Sequence, residues 1–307
     1  MTSAVFMSYS QNREDVVLRR ALAGVTSGRY VDVGANHPRT YSISRGFYEQ
    51  GWSGITVEPV PVLAEMHRHE RPRDHQVEAV ATSDDASHVT FHLFGESGLS
   101  TLDDSVRDAH VSAGWDVEEV QVPALRLDAI LDEAGWSPQD PIHFLTVDVE
   151  GAEASVLDSI DLHRWRPWVL VVEATVPLSS TPSHQDWEPA VVAAGYQFCF
   201  FDGLSRFYVA QEHADLAPQL SYPACPHDVY DTDVDRTRRE TITALSDDVV
   251  RWRTAALTRW AAAVASENVA HHSAAYAALE AELEQTRRTL SWRVTAPLRA
   301  VRRLSAR

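Results

Sequence analysis

The stretch Val31-Asp32-Val33-Gly34-Ala35-Asn36-His37-Pro38 decides the fold. A valine-rich run stops at a glycine and is followed at once by asparagine, histidine and proline. A short apolar run of that kind reads as a strand buried on both faces, and a glycine at its carboxyl end lets the backbone turn and a ligand approach closely. In open α/β sheets ligands sit beyond the carboxyl ends of the strands, which makes Gly34, Ala35 and Asn36 candidate binding residues.

Runs of the same type recur along the chain. GITVEP, HFLTVDVEG and WVLVVEA are short, rich in valine, and end at an acidic residue or glycine, with helical or mixed segments between them. The alternation predicts an α/β fold, a doubly wound and mostly parallel sheet with helices on both faces. Further on, GYQFCFFDGLSRFYVA reads as two strands joined at Asp202-Gly203, an antiparallel hairpin suited to one edge of that sheet. Near Asp235 the character changes. RWRTAALTRWAAAVA and SAAYAALEAELEQTRRTL are alanine-rich, free of glycine and proline, and predict helix. The expected organisation is a domain over residues 1–235 and a helical extension over 236–307.

Composition narrows the function. A chain of 307 residues can bury one full core plus an extension. It contains no apolar run long enough to span a bilayer, and its first residues lack the pattern of a secretory signal, so the expected compartment is the cytoplasm. Cys199 and Cys225 make no disulfide framework. The net charge is -17, and seven arginines without an acidic residue follow position 285, which leaves -17 - 7 = -24 on residues 1–284. So acidic a body argues against nucleic acid as a partner.

The strand ends carry the chemistry. Glu58 ends the second strand, where a carboxylate can accept both ribose hydroxyls of a nucleotide-like cofactor. A dinucleotide would need GxGxxG, and the turn here reads GANHPR. Asp32 adds a carboxylate suited to a cofactor with a cationic amino-acid part, which points to S-adenosylmethionine (SAM). In LTVDVEGAEASVL, strand alternation puts Asp148 and Glu150 on one face, where a carboxylate can take the proton of an acceptor hydroxyl. Glu173 ends the next strand, so Asp148 and Glu173 are the pair that would share a divalent metal ion if one is used. Glu153 falls inside the following helix and reads as a solvated face.

His37 has two readings, a general base or a local turn hydrogen bond. The other histidines lack metal-site spacing and read mostly as surface residues. GLST near residue 100 reads as an ordinary polar loop or as a wall of an acceptor pocket, and Trp52, Trp115, Trp136 and Trp187 as core or as stacking platforms for sugars.

Five segments carry a resemblance: SYSQNREDVVLRRAL, YVDVGANHP, SRGFYEQGWSGITVEPVP, FLTVDVEGAEASVLDSI and FFDGLSRFYV, in that order between Ser8 and Tyr230. They resemble the FkbM family of SAM-dependent methyltransferases. The resemblance implies a class I methyltransferase fold and methylation of hydroxyl groups on sugars, polysaccharide precursors or macrolide-like products. It implies cofactor binding by Asp32, Gly34, Ala35, Asn36 and Glu58, with Glu78 toward the adenine amino group and Gln11 and Glu14 closing the amino-acid end. Many members have glycine after the asparagine; His37-Pro38 here is similar to a subgroup among bacterial glycan-modifying proteins. Two function classes remain: an O-methyltransferase acting on a sugar or glycan acceptor, and a noncatalytic scaffold of a glycan-assembly complex.

Outside the resemblance, Tyr276, Leu279, Leu283, Thr286 and Leu290 fall at a and d spacing. They suit a short coiled coil, and with it a homo-oligomer, or a helix docked on the catalytic domain. The final TLSWRVTAPLRAVRRLSAR interleaves apolar residues with arginines. It reads as a basic amphipathic segment lying on an anionic membrane surface or as a tail that binds a partner protein.

Overall fold

The computed structural model describes residues 5–95, 98–297 and 299. The chain divides into two compact units, Met1–Arg236 and Thr237–Arg307. In chain order the first unit opens with β1 (Phe6–Ser8), α1 (Glu14–Ala21), β2 (Arg29–Val33), α2 (Arg45–Glu49), β3 (Ser53–Val57), α3 (Pro61–Glu70) and β4 (His75–Val77). It continues with β5 (Val80–Ala81), β6 (His88–Leu93), α4 (Asp104–Ser112), β7 (Glu118–Leu125), α5 (Leu127–Glu133), β8 (Phe144–Val147) and α6 (Glu153–Asp158). Then come β9 (Val169–Glu173), α7 (Glu188–Ala193), β10 (Tyr196–Phe201), β11 (Ser205–Ala210), α8 (Ala217–Leu220) and β12 (Tyr230–Thr232).

The seven-stranded sheet has the order β10-β11-β9-β8-β2-β3-β4. Strands β4, β3, β2, β8 and β9 are parallel, and β11 runs antiparallel between β9 and β10. This is the mixed α/β, mostly parallel sheet with an antiparallel edge hairpin that the sequence predicts. Its valine runs are uninterrupted because both faces are covered. Val31, Val33, Ile55, Val57, Leu145 and Val147 enter one core cluster, whereas Tyr30, Phe144, Val169 and Val171, at alternate positions, enter the other. Each such side chain, fully buried, contributes about 1.5 to 3 kcal/mol. The chain moves outward from β2 through β3 to β4 and then returns to β8 on the other side of β2. A doubly wound sheet opens its ligand crevice at that reversal.

A smaller sheet, β5-β7-β6, stands beside the large one, and Val80, Phe91 and Val122 pack there with Val60 and Leu63. Strands β1 and β12 pair in parallel near the end of the unit. Trp52 and Trp187 are core residues, and Trp115 is exposed. Four histidines, His67, His92, His110 and His143, are buried rather than on the surface.

Helix α9 (Asp233–Arg288) is one continuous helix of 56 residues with none of them buried. A short helix α10 (Leu290–Val294) follows, capped by the Thr289 hydroxyl, which accepts from the Trp292 N–H at 3.3 Å. Tyr276, Leu279, Leu283 and Leu290 are exposed. Leu298 and residues 300–307, which carry the end of the basic tail, lie outside the described residues. Among the described residues no helix is long and apolar enough to cross a membrane.

Candidate functional site

The carboxyl ends of β2, β3, β8 and β9 open onto one cleft of about 540 Å³, within the range typical of small-molecule sites. Ten of the residues singled out from the sequence line it: Gln11, Glu14, Asp32, Gly34, Ala35, Asn36, Glu58, Asp148, Glu150 and Glu173. His37 and Glu78 do not.

The turn after β2 makes the floor. Gly34 has φ +80°, and a Cβ there would stand 1.7 Å from the Asp148 carbonyl oxygen, so only glycine fits between the two strand ends. The Gly34 and Ala35 N–H groups donate to the Val57 carbonyl at 3.0 and 3.1 Å, which ties the turn to the end of β3. Asn36 takes a left-handed conformation, φ 45°, and its carbonyl meets His67 Nε2 at 2.9 Å. Burial holds His67 down to about 4, so the ring is neutral and Nε2–H donates. No helix follows until Arg45. The turn therefore offers no helix N-terminus for a pyrophosphate.

Glu58 is fixed by the backbone. Its Oε2 accepts the Asn36 N–H and its Oε1 accepts the Val60 N–H, both at 2.8 Å. Glu58 is buried and lines the cleft. Burial pushes its carboxyl up to about 7 against the pull of those two donors. Asp32 lies behind the floor: Oδ1 accepts from the Thr146 hydroxyl at 2.8 Å and Oδ2 from the Ser44 hydroxyl. Ser44 in turn receives Arg71 Nη2, and Arg71, wholly buried, is held by Asp74 at 2.8 Å. Nothing in the sequence around Arg71 announced this network. Only the approach of β2, α2 and α3 assembles it.

On the other side of Gly34, Asp148 and Glu173 face each other from adjacent parallel strands. Asp148 is reached by solvent through the cleft mouth although protein surrounds it, and that enclosure raises its carboxyl above the usual range. Glu173 is 6% exposed, its Oε2 has no partner, and burial followed by the charges of Asp148, Glu150 and Glu153 pushes it up to about 12. It is a neutral acid, and its proton serves the hydrogen bond to Asp148. Glu150 sits at φ 53° with its carboxyl raised to about 8 by burial and then by Asp148. Strained backbone of that kind gathers at functional sites.

The loop before α4 latches onto this turn. The Thr101 hydroxyl donates to the Glu150 carbonyl at 2.7 Å, and Gly98, Leu99, Ser100 and Leu102 line the cleft. The GLST segment is thus a wall of the pocket. A Cβ on Gly98 would meet the Asn36 amide at 2.7 Å, which explains the glycine. At the far end Glu14, buried and pushed up to about 8, accepts the Asn12 N–H at 2.9 Å and faces Asp202.

Two expectations need correction, for Glu153 and Glu78, and of the two readings of His37 only the turn hydrogen bond stands. Glu153 is not solvated: it is buried and folds back so that its Oε1 accepts the Val149 and Gly151 N–H groups at 3.3 and 3.0 Å. His37 Nδ1 accepts the Arg39 and Thr40 N–H groups at 3.0 and 3.1 Å, so it closes a turn outside the cleft and is no base for it. Glu78 is ion-paired with Arg68 outside the cleft and so does not reach a cofactor there. A divalent metal does not fit either. Glu173 carries its own proton, and among the described residues no three His, Cys, Asp or Glu side chains converge as ligands.

The family model described as the methyltransferase FkbM domain matches residues 32–198, more than half of the 307. The match runs from Asp32 through Glu58 and Asp148 to the first strand of the edge hairpin. A TehB-like SAM-dependent methyltransferase from Corynebacterium glutamicum superposes with a TM-score of 0.35 at 11% identity, over 64% of this chain and 87% of that one. A likeness at that level carries no argument. No curated protein matches the sequence.

Proposed function

Since the chain belongs to the FkbM family of SAM-dependent methyltransferases, we propose that it is an O-methyltransferase whose strand-end cleft holds SAM and methylates a hydroxyl of a sugar, in a glycan, a polysaccharide precursor or a glycosylated metabolite. One observation carries the reading. Across Gly34 the cleft sets a carboxylate fixed by two backbone N–H groups, Glu58, against an acid pair, Asp148 and Glu173, in which Glu173 Oε2 has no partner.

The residues present fit the cofactor. Glu58, which lines the cleft, holds the ribose hydroxyls. Val57, Val60, Leu63, Val80 and Phe91 form an apolar wall beside it that suits a purine. Gly34, Ala35 and Asn36 supply the close backbone approach, Asp32 supplies negative charge behind the floor, and Gln11 and Glu14 close the amino-acid end.

SAM, when bound, supplies an activated methyl group. The chain supplies the rest: alignment of the acceptor oxygen, which carries most of the rate with so activated a donor, and a destination for its proton. Asp148 takes that proton, and Glu173, neutral, donates to Asp148 and holds its orientation. Glu150 and the latched Gly98–Leu102 loop flank the acceptor. No arginine or histidine lines the cleft among the described residues, so nothing there would pair with a phosphate or a uronate. An uncharged sugar hydroxyl suits such a wall.

Titration calorimetry with SAM and separately with NAD tests the cofactor. SAM is expected to bind and NAD not to. NAD binding without SAM binding would overturn the reading, and release of S-adenosylhomocysteine with neutral glycans as acceptors then tests the reaction.

A further inference from the structure

Six carboxyl groups stand on the cleft wall: Glu14, Asp32, Glu58, Asp148, Glu150 and Glu173. No cationic side chain stands among them in the described residues. The candidates nearby are already engaged. Arg71, behind Asp32, gives its guanidinium to Asp74, Tyr30, Ser42 and Ser44. His67, behind Asn36, is neutral and donates to the Asn36 carbonyl. Glu173 is 6% exposed and faces the cleft with Oε2 unpartnered. So many acids around one cavity favour a ligand that brings a positive charge, because a cation there offsets the cost of ionising carboxyls that burial and mutual repulsion raise.

Resting on the methyltransferase reading above, we propose that this ring of acids is a charge filter, which holds the cationic methyl donor and releases its neutral demethylated product because the charge has gone. The two ligands share every other atom, so the filter acts on the sulfur alone. In the transfer the acceptor oxygen bonds to the methyl carbon, the carbon–sulfur bond breaks with its electron pair left on sulfur, and the hydroxyl proton passes to Asp148. The cleft thereby loses a cation and one carboxylate charge together. Both changes weaken its hold on what remains.

Proton linkage follows from the same groups. Burial pushes Glu58 up to about 7 and Glu14 and Glu150 up to about 8, and raises Asp148. Asp202 faces Glu14, Glu153 lies beneath Glu150, Asp32 bears on both Glu58 and Asp148, and Tyr41 lines the same cleft. A bound cation favours the ionised carboxylates, so donor binding expels protons.

The test is calorimetric titration of the full chain near neutral pH, in two buffers of different ionisation enthalpy. The ligands are SAM, S-adenosylhomocysteine, and sinefungin, which carries a protonated amine in place of the sulfonium. SAM and sinefungin are expected to bind about tenfold or more tightly than S-adenosylhomocysteine, with more proton release on binding of either cation than on binding of S-adenosylhomocysteine. Glu150→Gln is expected to narrow that gap by weakening the two cations and sparing the neutral product. If that variant does not fold, the wild-type comparison decides alone. Equal affinities, or tighter binding of S-adenosylhomocysteine, would overturn the filter and leave the methyltransferase reading standing. Binding of none of the three would overturn that reading and the filter with it.

Discussion

The two sides of Gly34 use the same residue type for opposite ends. Glu58 has a backbone N–H on each oxygen and is locked in place. Glu173 has an oxygen with no partner and keeps its proton, while Asp148 faces it from the next strand. A carboxylate satisfied by the backbone can hold a ligand without moving. One buried among other acids keeps its proton and can donate it in a hydrogen bond to its neighbour. On the function proposed above, the difference separates binding from reaction within one cleft, and each change below is aimed at one side or at the hinge between them.

Gly34→Ala should do the most damage, because it drives a Cβ to 1.7 Å from the Asp148 carbonyl oxygen at φ +80°. A loss of about 3 kcal/mol of stability or more is expected, read by thermal or urea denaturation. Stability within error of wild type would mean that the two sides do not meet at Gly34.

Asp148→Asn keeps the shape of the reacting side and removes its proton acceptor. Methyl transfer should fall by about 100-fold or more while SAM still binds. Full turnover on an authentic acceptor would remove Asp148 from the chemistry. Chelation with EDTA should leave wild-type turnover unchanged, since the pair does not fit a divalent ion.

Stability should also depend on pH through both sides. Burial raises Glu58 and Glu153 to about 7 and Glu14 and Glu150 to about 8, against an ordinary 4.5. The folded chain therefore keeps protons that the unfolded chain releases, and the stability this confers is lost as pH rises from about 4.5 through 8. Without ligand, the melting temperature should fall between about pH 6 and pH 9. A rise over that range would contradict the burial of these groups.

The smallest effect is expected from Glu78→Ala. Its partner Arg68 is a surface residue outside the cleft, and exposed ion pairs contribute about 0 to 1 kcal/mol. SAM affinity should not change measurably in a binding titration.

The sheet and the acids that line its cleft were legible in the sequence for a common reason: a valine run that carries an acid at or near its end is a local pattern, and parallel strands place such ends side by side. Asp32, Glu58, Asp148 and Glu173 could be read in that way, as could the Asp202-Gly203 turn between β10 and β11. What was misread depends on turns and on distant partners. Helical spacing made Glu153 look solvated, but φ 53° at Glu150 and 103° at Gly151 fold the Val149 and Gly151 N–H groups onto it. His37 allowed two readings, a base or a turn hydrogen bond, and only the conformation after Pro38 decides for the turn, with Nδ1 taken by Arg39 and Thr40. The Arg71 network and the Thr101 latch join residues far apart in the chain, and no local pattern encodes them.

The contrast between the two sides is tested most directly by titrating SAM into Glu58→Ala and Glu173→Gln in parallel, with circular dichroism to confirm that both are folded. Removing Glu58 takes a charged acceptor from the holding side and should weaken binding by about 1.5 to 3 kcal/mol, roughly tenfold or more. The Glu173 amide replaces an acid that is already neutral and should leave affinity within about threefold, about 0.6 kcal/mol. A Glu58 variant that binds like wild type beside a Glu173 variant that loses the cofactor would contradict the account.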